Sequence, residues 1–118
     1  LEKTLADYRK DFKIYKNGNC YKITGYKSQN PDVVIPGNIR DIPVEIYENA
    51  FGENDTIETV YLEDGVTNIG KFAFWFCRNL KSITIPESVT SIGNQAFSHC
   101  SSLTSITIPE SVANIEWS

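Results

Sequence analysis

One phrase recurs in this chain at a fixed step of 23 residues, and that step limits the architecture more than any other feature. Residues 77–95 (CRNLKSITIPESVTSIGNQ) laid over residues 100–118 (CSSLTSITIPESVANIEWS) share 11 identities in 19 positions. Chance would give about one. The same register runs upstream through Ala96-Phe97, Ala73-Phe74 and Ala50-Phe51. It also holds for Ile115, Ile92, Ile69 and Ile46, for Leu103, Leu80 and Ile57, and for Ile108, Ile85 and Leu62. Self-similarity of this length predicts stacked units, each touching only its neighbours.

Within one unit the alternation is that of a strand. In Leu80-Lys81-Ser82-Ile83-Thr84-Ile85 the two isoleucines alternate with polar residues, so Ile83 is expected inside and Ser82 outside. Pro86 and Pro109 end the strands because proline has no N–H to donate to a ladder. Parallel strands, one per rung, are expected at 59–62, 82–85 and 105–108. A second extended stretch, 89–92, should follow, then a turn whose Phe97 ring fills the opposite wall. A period between 20 and 29 with Leu-x-x-Ile-x-Ile is the leucine-rich-repeat signature. The expected fold is therefore α/β but β-rich: a right-handed solenoid of stacked parallel strands.

The string IPESVTSIGNQAFSHCSSLTSITIPESV resembles the BspA-like class of leucine-rich repeats, and the likeness covers roughly residues 33–118. The recurring phrase is Ile-Pro-x-x-Val-x-x-Ile-Gly-x-x-Ala-Phe-x-x-Cys-x-x-Leu. The chain departs from it at Glu63, where proline is expected, at Asn54, where cysteine is expected, and at Tyr47 and Glu116, where glycine is expected. The resemblance implies a bacterial surface or secreted protein that adheres to host or neighbouring molecules. It implies no catalytic residues and no cofactor.

Upstream the pattern loosens. Pro36 to Ala50 spans 14 positions where Pro86 to Ala96 spans 10, so the first rung carries four extra residues around Arg40-Asp41-Ile42-Pro43. Asn17-Gly18 between two alternating segments signals a hairpin. That hairpin would cap the N-terminal end of the stack, as repeat proteins require. Leu1, Leu5, Tyr8 and Phe12 fit one face of a short helix without an evident cap. The expected division is a short helix or linker at 1–11, the cap and an irregular rung at 12–52, and regular repeats at 53–118 with the last incomplete. That open last rung, ending at Ile115-Glu116-Trp117-Ser118, would favour self-association or further repeats.

Composition narrows the function. A net charge of −4 and a pI near 4.9 argue against nucleic acid, which demands a basic stripe. No apolar run in the sequence is long enough for a transmembrane segment. Three cysteines form no disulfide framework, and Cys77 and Cys100 share one repeat slot, so both are expected reduced and buried. Asn54-Asp55-Thr56 is a glycosylation sequon by letter. In the same slot, however, an inward Asn54 would bond turn backbone. Glu53, Asp55 and Glu58 lack the spacing of a calcium loop, and a zinc site would need four ligands. The single histidine, His99, has no partner for general acid–base chemistry in its motif.

Two surfaces remain as candidates. Trp75 and Phe76 align with Ser98 and His99, so with His99 they form a binding patch or pack against a neighbouring rung or Tyr47. The outward strand positions Thr59, Tyr61, Ser82, Thr84, Ser105 and Thr107 form a hydroxyl ladder that either binds or only tolerates water. The expected function is a non-catalytic adhesion module, extracellular or at the cell surface by resemblance, recognising a protein or glycan. The alternative is a structural spacer with no ligand, which should lack clustered surface aromatics.

Overall fold

The computed structural model describes residues 3–112, together with the backbone of 114–115. In chain order the elements are α1 (Leu5–Arg9), β1 (Phe12–Asn17), β2 (Cys20–Tyr26), β3 (Asp32–Ile35), β4 (Asn38–Ile39), β5 (Ile42–Ile46), β6 (Thr59–Leu62), β7 (Asn68–Ile69), β8 (Ser82–Thr84), β9 (Ser91–Ile92), β10 (Ser105–Ile106) and β11 (Asn114–Ile115). Each repeat contributes one strand to each of two walls. One wall is the parallel sheet β10-β8-β6-β3; the other runs β1-β2-β5-β7-β9-β11, parallel except where β1 joins β2. The protein is thus a β-rich solenoid with little helix, and turns fill the place between walls.

The registers show the 23-residue step as physical stacking. Ile23 lies opposite Ile46, Ile46 opposite Ile69, and Ile69 opposite Ile92, all four buried. On the other wall Val33, Val60 and Ile83 stack in the same way. Between the walls Phe51 and Phe74 stack with ring centroids 5.0 Å apart, and Phe74 and Phe97 at 5.6 Å. The rings are within 5° of parallel because identical turns present them at identical angles.

The turns are hydrogen-bonded across rungs as well. Asn49, Phe51 and Glu53 donate backbone N–H groups to the carbonyls of Lys71, Ala73 and Trp75, and Phe72, Phe74 and Phe76 repeat this to Asn94, Ala96 and Ser98. Backbone pairing therefore continues past the strands, and buried amides in the turns find partners without a helix. Such close stacking explains the glycines that follow Ile69 and Ile92. A Cβ at Gly93 would fall 2.5 Å from the Lys71 nitrogen, and one at Gly70 2.7 Å from the Glu48 nitrogen.

The N-terminal region refines several expectations. The hairpin forms, but Asn17 pairs with Cys20, so the two turn residues are Gly18 and Asn19, with Gly18 at φ +64. The four extra residues make a second small hairpin. Ile39 pairs with Ile42, and Arg40 and Asp41 both take positive φ, as a type I′ turn requires. The helix does have a cap, contrary to expectation. Thr4 accepts from the Asp7 N–H and the Asp7 carboxylate accepts from the Thr4 N–H, so Asp serves where Glu or Gln is usual. Phe12 lies on β1 rather than on that helix, and Leu1 lies outside the described residues.

The repeat strands appear where expected, though β8 and β10 end earlier, at Thr84 and Ile106. Ile83 is buried as expected, while Ser82 is half-buried rather than exposed, since strands on both sides flank it. In the last described rung Leu103, Ile106, Ile108 and Val112 are only half-buried, whereas their equivalents one rung back are buried. Glu116 and Trp117 lie outside the described residues. Among the described residues no helix is long and apolar enough to cross a membrane.

Candidate binding surfaces

The hydroxyl ladder lies on the outer face of the β10-β8-β6-β3 wall. Asp32, Thr59, Ser82 and Ser105 form one row, and Val34, Tyr61 and Thr84 form the next. Thr107 is exposed just past the end of β10. The Thr59 hydroxyl donates to the Asp32 carboxylate at 2.8 Å, which ties the face across two rungs. Tyr61 is 52% exposed and Val34 54%, so two large apolar side chains sit side by side among the hydroxyls. Sequence reasoning missed Val34 and Asp32 because the extra residues break the step there. The signal was present nonetheless: Val33-Val34-Ile35-Pro36 matches Ile83-Thr84-Ile85-Pro86.

The second surface is formed by the turn that joins β7 to β8 and by His99 of the turn that joins β9 to β10. Phe76 and His99 stack with centroids 4.4 Å apart and planes 10° from parallel. Trp75 meets Phe76 edge-on at 4.5 Å, and Phe72 meets Trp75 edge-on at 5.9 Å. Phe72, Trp75 and Phe76 are half-buried and His99 is exposed. The structure thus brings the three expected aromatics together and adds Phe72, whose place in the repeat had attracted no notice.

The turn has a second unusual property. Each rung holds two residues in the left-handed backbone region, Asn49 and Glu53, then Phe72 and Phe76, then Gln95 and His99. Asparagine tolerates that conformation readily; a bulky phenylalanine does so only with strain. One rung therefore places two aromatics where its neighbours place polar residues.

Trp75 and Phe72 also border a cleft of about 500 Å³ whose other walls are Tyr47, Glu48, Asn49 and Lys71. Tyr47 faces Trp75 across this cleft, while the ring contacts of Trp75 are with Phe72 and Phe76 of its own turn. Tyr47 is 40% exposed and meets Tyr15 edge-on at 6.3 Å, with the Lys22 ammonium 5.5 Å from its ring. Lys22 is in turn held by Glu45 at 3.1 Å. The aromatic row thereby extends from the hairpin to the third rung.

The remaining candidates resolve into structural roles. The Cys77 thiol donates to the Phe51 carbonyl at 3.0 Å and Cys100 to the Phe74 carbonyl at 3.1 Å; all three cysteines are free. Cys77 is buried as expected, but Cys100 is half-buried, in keeping with the thinner packing around the last rung. Burial pushes the Cys77 thiol up to about 12 and raises that of Cys100 as well. Asn54 does bond turn backbone, accepting from Thr56 and Ile57 at 2.8 and 3.1 Å. Of the acidic trio, Glu53 and Asp55 face solvent, and Glu58 pairs with Lys81 at 3.1 Å.

Comparison with known proteins agrees with this architecture. Residues 20–118 match the model of the BspA type leucine rich repeat region in six copies. A solved leucine rich repeat protein of T. pallidum superposes with a TM-score of 0.85 at 32% identity, over 91% of this chain and 51% of that one. A leucine rich cell surface protein from Faecalibacterium prausnitzii A2-165 gives 0.78 at 34% identity, over 89% of this chain and 31% of that one. A leucine-rich repeat protein from Bacteroides capillosus ATCC 29799 gives 0.77 at 31% identity, over 89% and 81%. The chain therefore spans about half of the first of these and a third of the second. No functionally curated protein shows significant similarity to it.

Proposed function

The chain belongs to the BspA-type leucine-rich-repeat family, and from that premise we propose that it is a non-catalytic binding module of a bacterial surface or secreted protein. The partner is an extracellular protein or glycan, met by a broad face rather than a deep pocket. The observation that carries this proposal is the convergence of Phe72, Trp75 and Phe76 on one turn with His99 of the next. A spacer gains nothing from clustered surface aromatics, whereas recognition surfaces concentrate their affinity in such residues. The cell-surface description of the Faecalibacterium protein supports the location. The adjoining hydroxyl ladder, with Tyr61 and Val34, offers further contact area.

The test is retention of extracellular-matrix proteins and mucin glycans by the chain, compared with Trp75→Ala. Binding should weaken by about 1–2 kcal/mol with stability almost unchanged. Retention of none of these partners, or equal retention by both proteins, would overturn the proposal.

A further inference from the structure

Resting on the binding-module proposal, we propose that the cleft between Tyr47 and Trp75 is a saccharide subsite. A pyranose ring would lie against Tyr47, Phe72 and Trp75, with its hydroxyls taken by Glu48, Asn49 and Lys71. The chemistry of the lining selects this ligand class. Sugar rings present patches of C–H bonds, slightly positive and suited to the negative faces of aromatic rings. Around those patches stand hydroxyls that both donate and accept. Glu48 supplies an acceptor, Lys71 a donor, and the Asn49 amide both, so neighbouring hydroxyls can be satisfied at one rim. A cleft of about 500 Å³ lies within the size range of small-ligand sites.

Two other occupants fit less well. A quaternary ammonium group favours aromatic walls, but the Lys71 ammonium already stands 5.7 Å from the centre of the Phe72 ring and would repel it. An extended peptide adds to an open strand edge, whereas the neighbouring strands β5 and β7 are paired on both sides. The distribution of residues points the same way. Equivalent positions carry Asn49, Phe72 and Gln95, then Gly52, Trp75 and Ser98, so the aromatics belong to one rung and not to the repeat. Phe72 holds its place there despite a left-handed backbone, φ 59.

The repeat itself supplies variants that keep the fold: Phe72→Asn and Trp75→Ser install the residues of adjoining rungs. The full chain is tested against an immobilised panel of neutral and acidic glycans, with mucin presented both intact and after periodate cleavage of its vicinal diols. At least one glycan should be retained, and each variant should bind it at least about tenfold more weakly while melting as the parent does. Periodate should abolish any retention of mucin. If mucin binds equally before and after periodate, or no glycan binds while a matrix protein does, the saccharide subsite is wrong and the binding module stands. If neither glycans nor matrix proteins bind, both proposals fall.

Discussion

The thiol of Cys77 donates to the backbone carbonyl of Phe51, the residue whose ring stacks on Phe74 in the same core. That single contact explains why cysteine recurs in the repeat. A thiol is small enough to pack within the turn and still satisfies a carbonyl one rung back. Serine would make a similar bond at a greater desolvation cost.

Thiol chemistry follows from this burial. Cys77, raised from 9.0 to about 12, should stay unreactive toward a disulfide reagent at pH 8, with Cys20 reacting first. Denaturation should expose all three. Equal reaction rates in the native protein would contradict the buried donor.

The same shift has a consequence for stability. The folded thiol holds its proton more tightly than the unfolded one, so its contribution is complete below about pH 9 and is lost as pH rises toward 12. Melting temperature should fall over that window, and Cys77→Ala should flatten the fall. An unchanged slope in the variant would assign the alkaline loss to other groups.

Phe74 is fully buried between Phe51 and Phe97. Phe74→Ala should cost about 3–5 kcal/mol in urea unfolding, because the stacked turns cannot close the cavity without breaking their cross-rung amide bonds. A loss under about 1 kcal/mol would mean that the rungs collapse independently.

Gly93→Ala places a methyl carbon 2.5 Å from the backbone nitrogen of Lys71, an atom that cannot swing away. Destabilisation of about 2 kcal/mol or more is expected by calorimetry. A neutral substitution would show that the rungs are farther apart than the stacking implies.

Much of this structure is legible in the sequence because the repeat makes each rung a template for the next. Ile46, Ile69 and Ile92 could be placed in one column from their spacing alone, and the β6, β8 and β10 positions followed. The regions that escaped are those where the template breaks. The type I′ turn at Arg40-Asp41 inserts residues that shift Val34 out of step with Tyr61, so a neighbouring exposed side chain went unrecognised. Thr4 was overlooked as a cap because its partner is Asp7 rather than a longer side chain. The cleft was hidden for another reason. Trp75 and Phe76 stood out as aromatics, but that Phe72 adopts positive φ, and that Tyr47 and Lys71 border the same space, are three-dimensional facts.

Phe72 is where two opposing effects can be weighed. Its left-handed backbone stores about 1 kcal/mol of strain that asparagine would relieve. Its edge contact with Trp75 returns about 0.5–1.5 kcal/mol, which asparagine would lose. The two terms nearly cancel, so Phe72→Asn should leave the unfolding free energy within about 0.5 kcal/mol of the parent. Phe76→Glu, which copies Glu53, relieves no such strain, because glutamate lacks asparagine's tolerance for that conformation, and it forfeits contacts with both Trp75 and His99, so it should be the less stable of the two. Paired denaturant melts decide the matter. If Phe72→Asn instead loses several kcal/mol, Phe72 is a core residue, and its half-exposed ring belongs to stability rather than to the cleft.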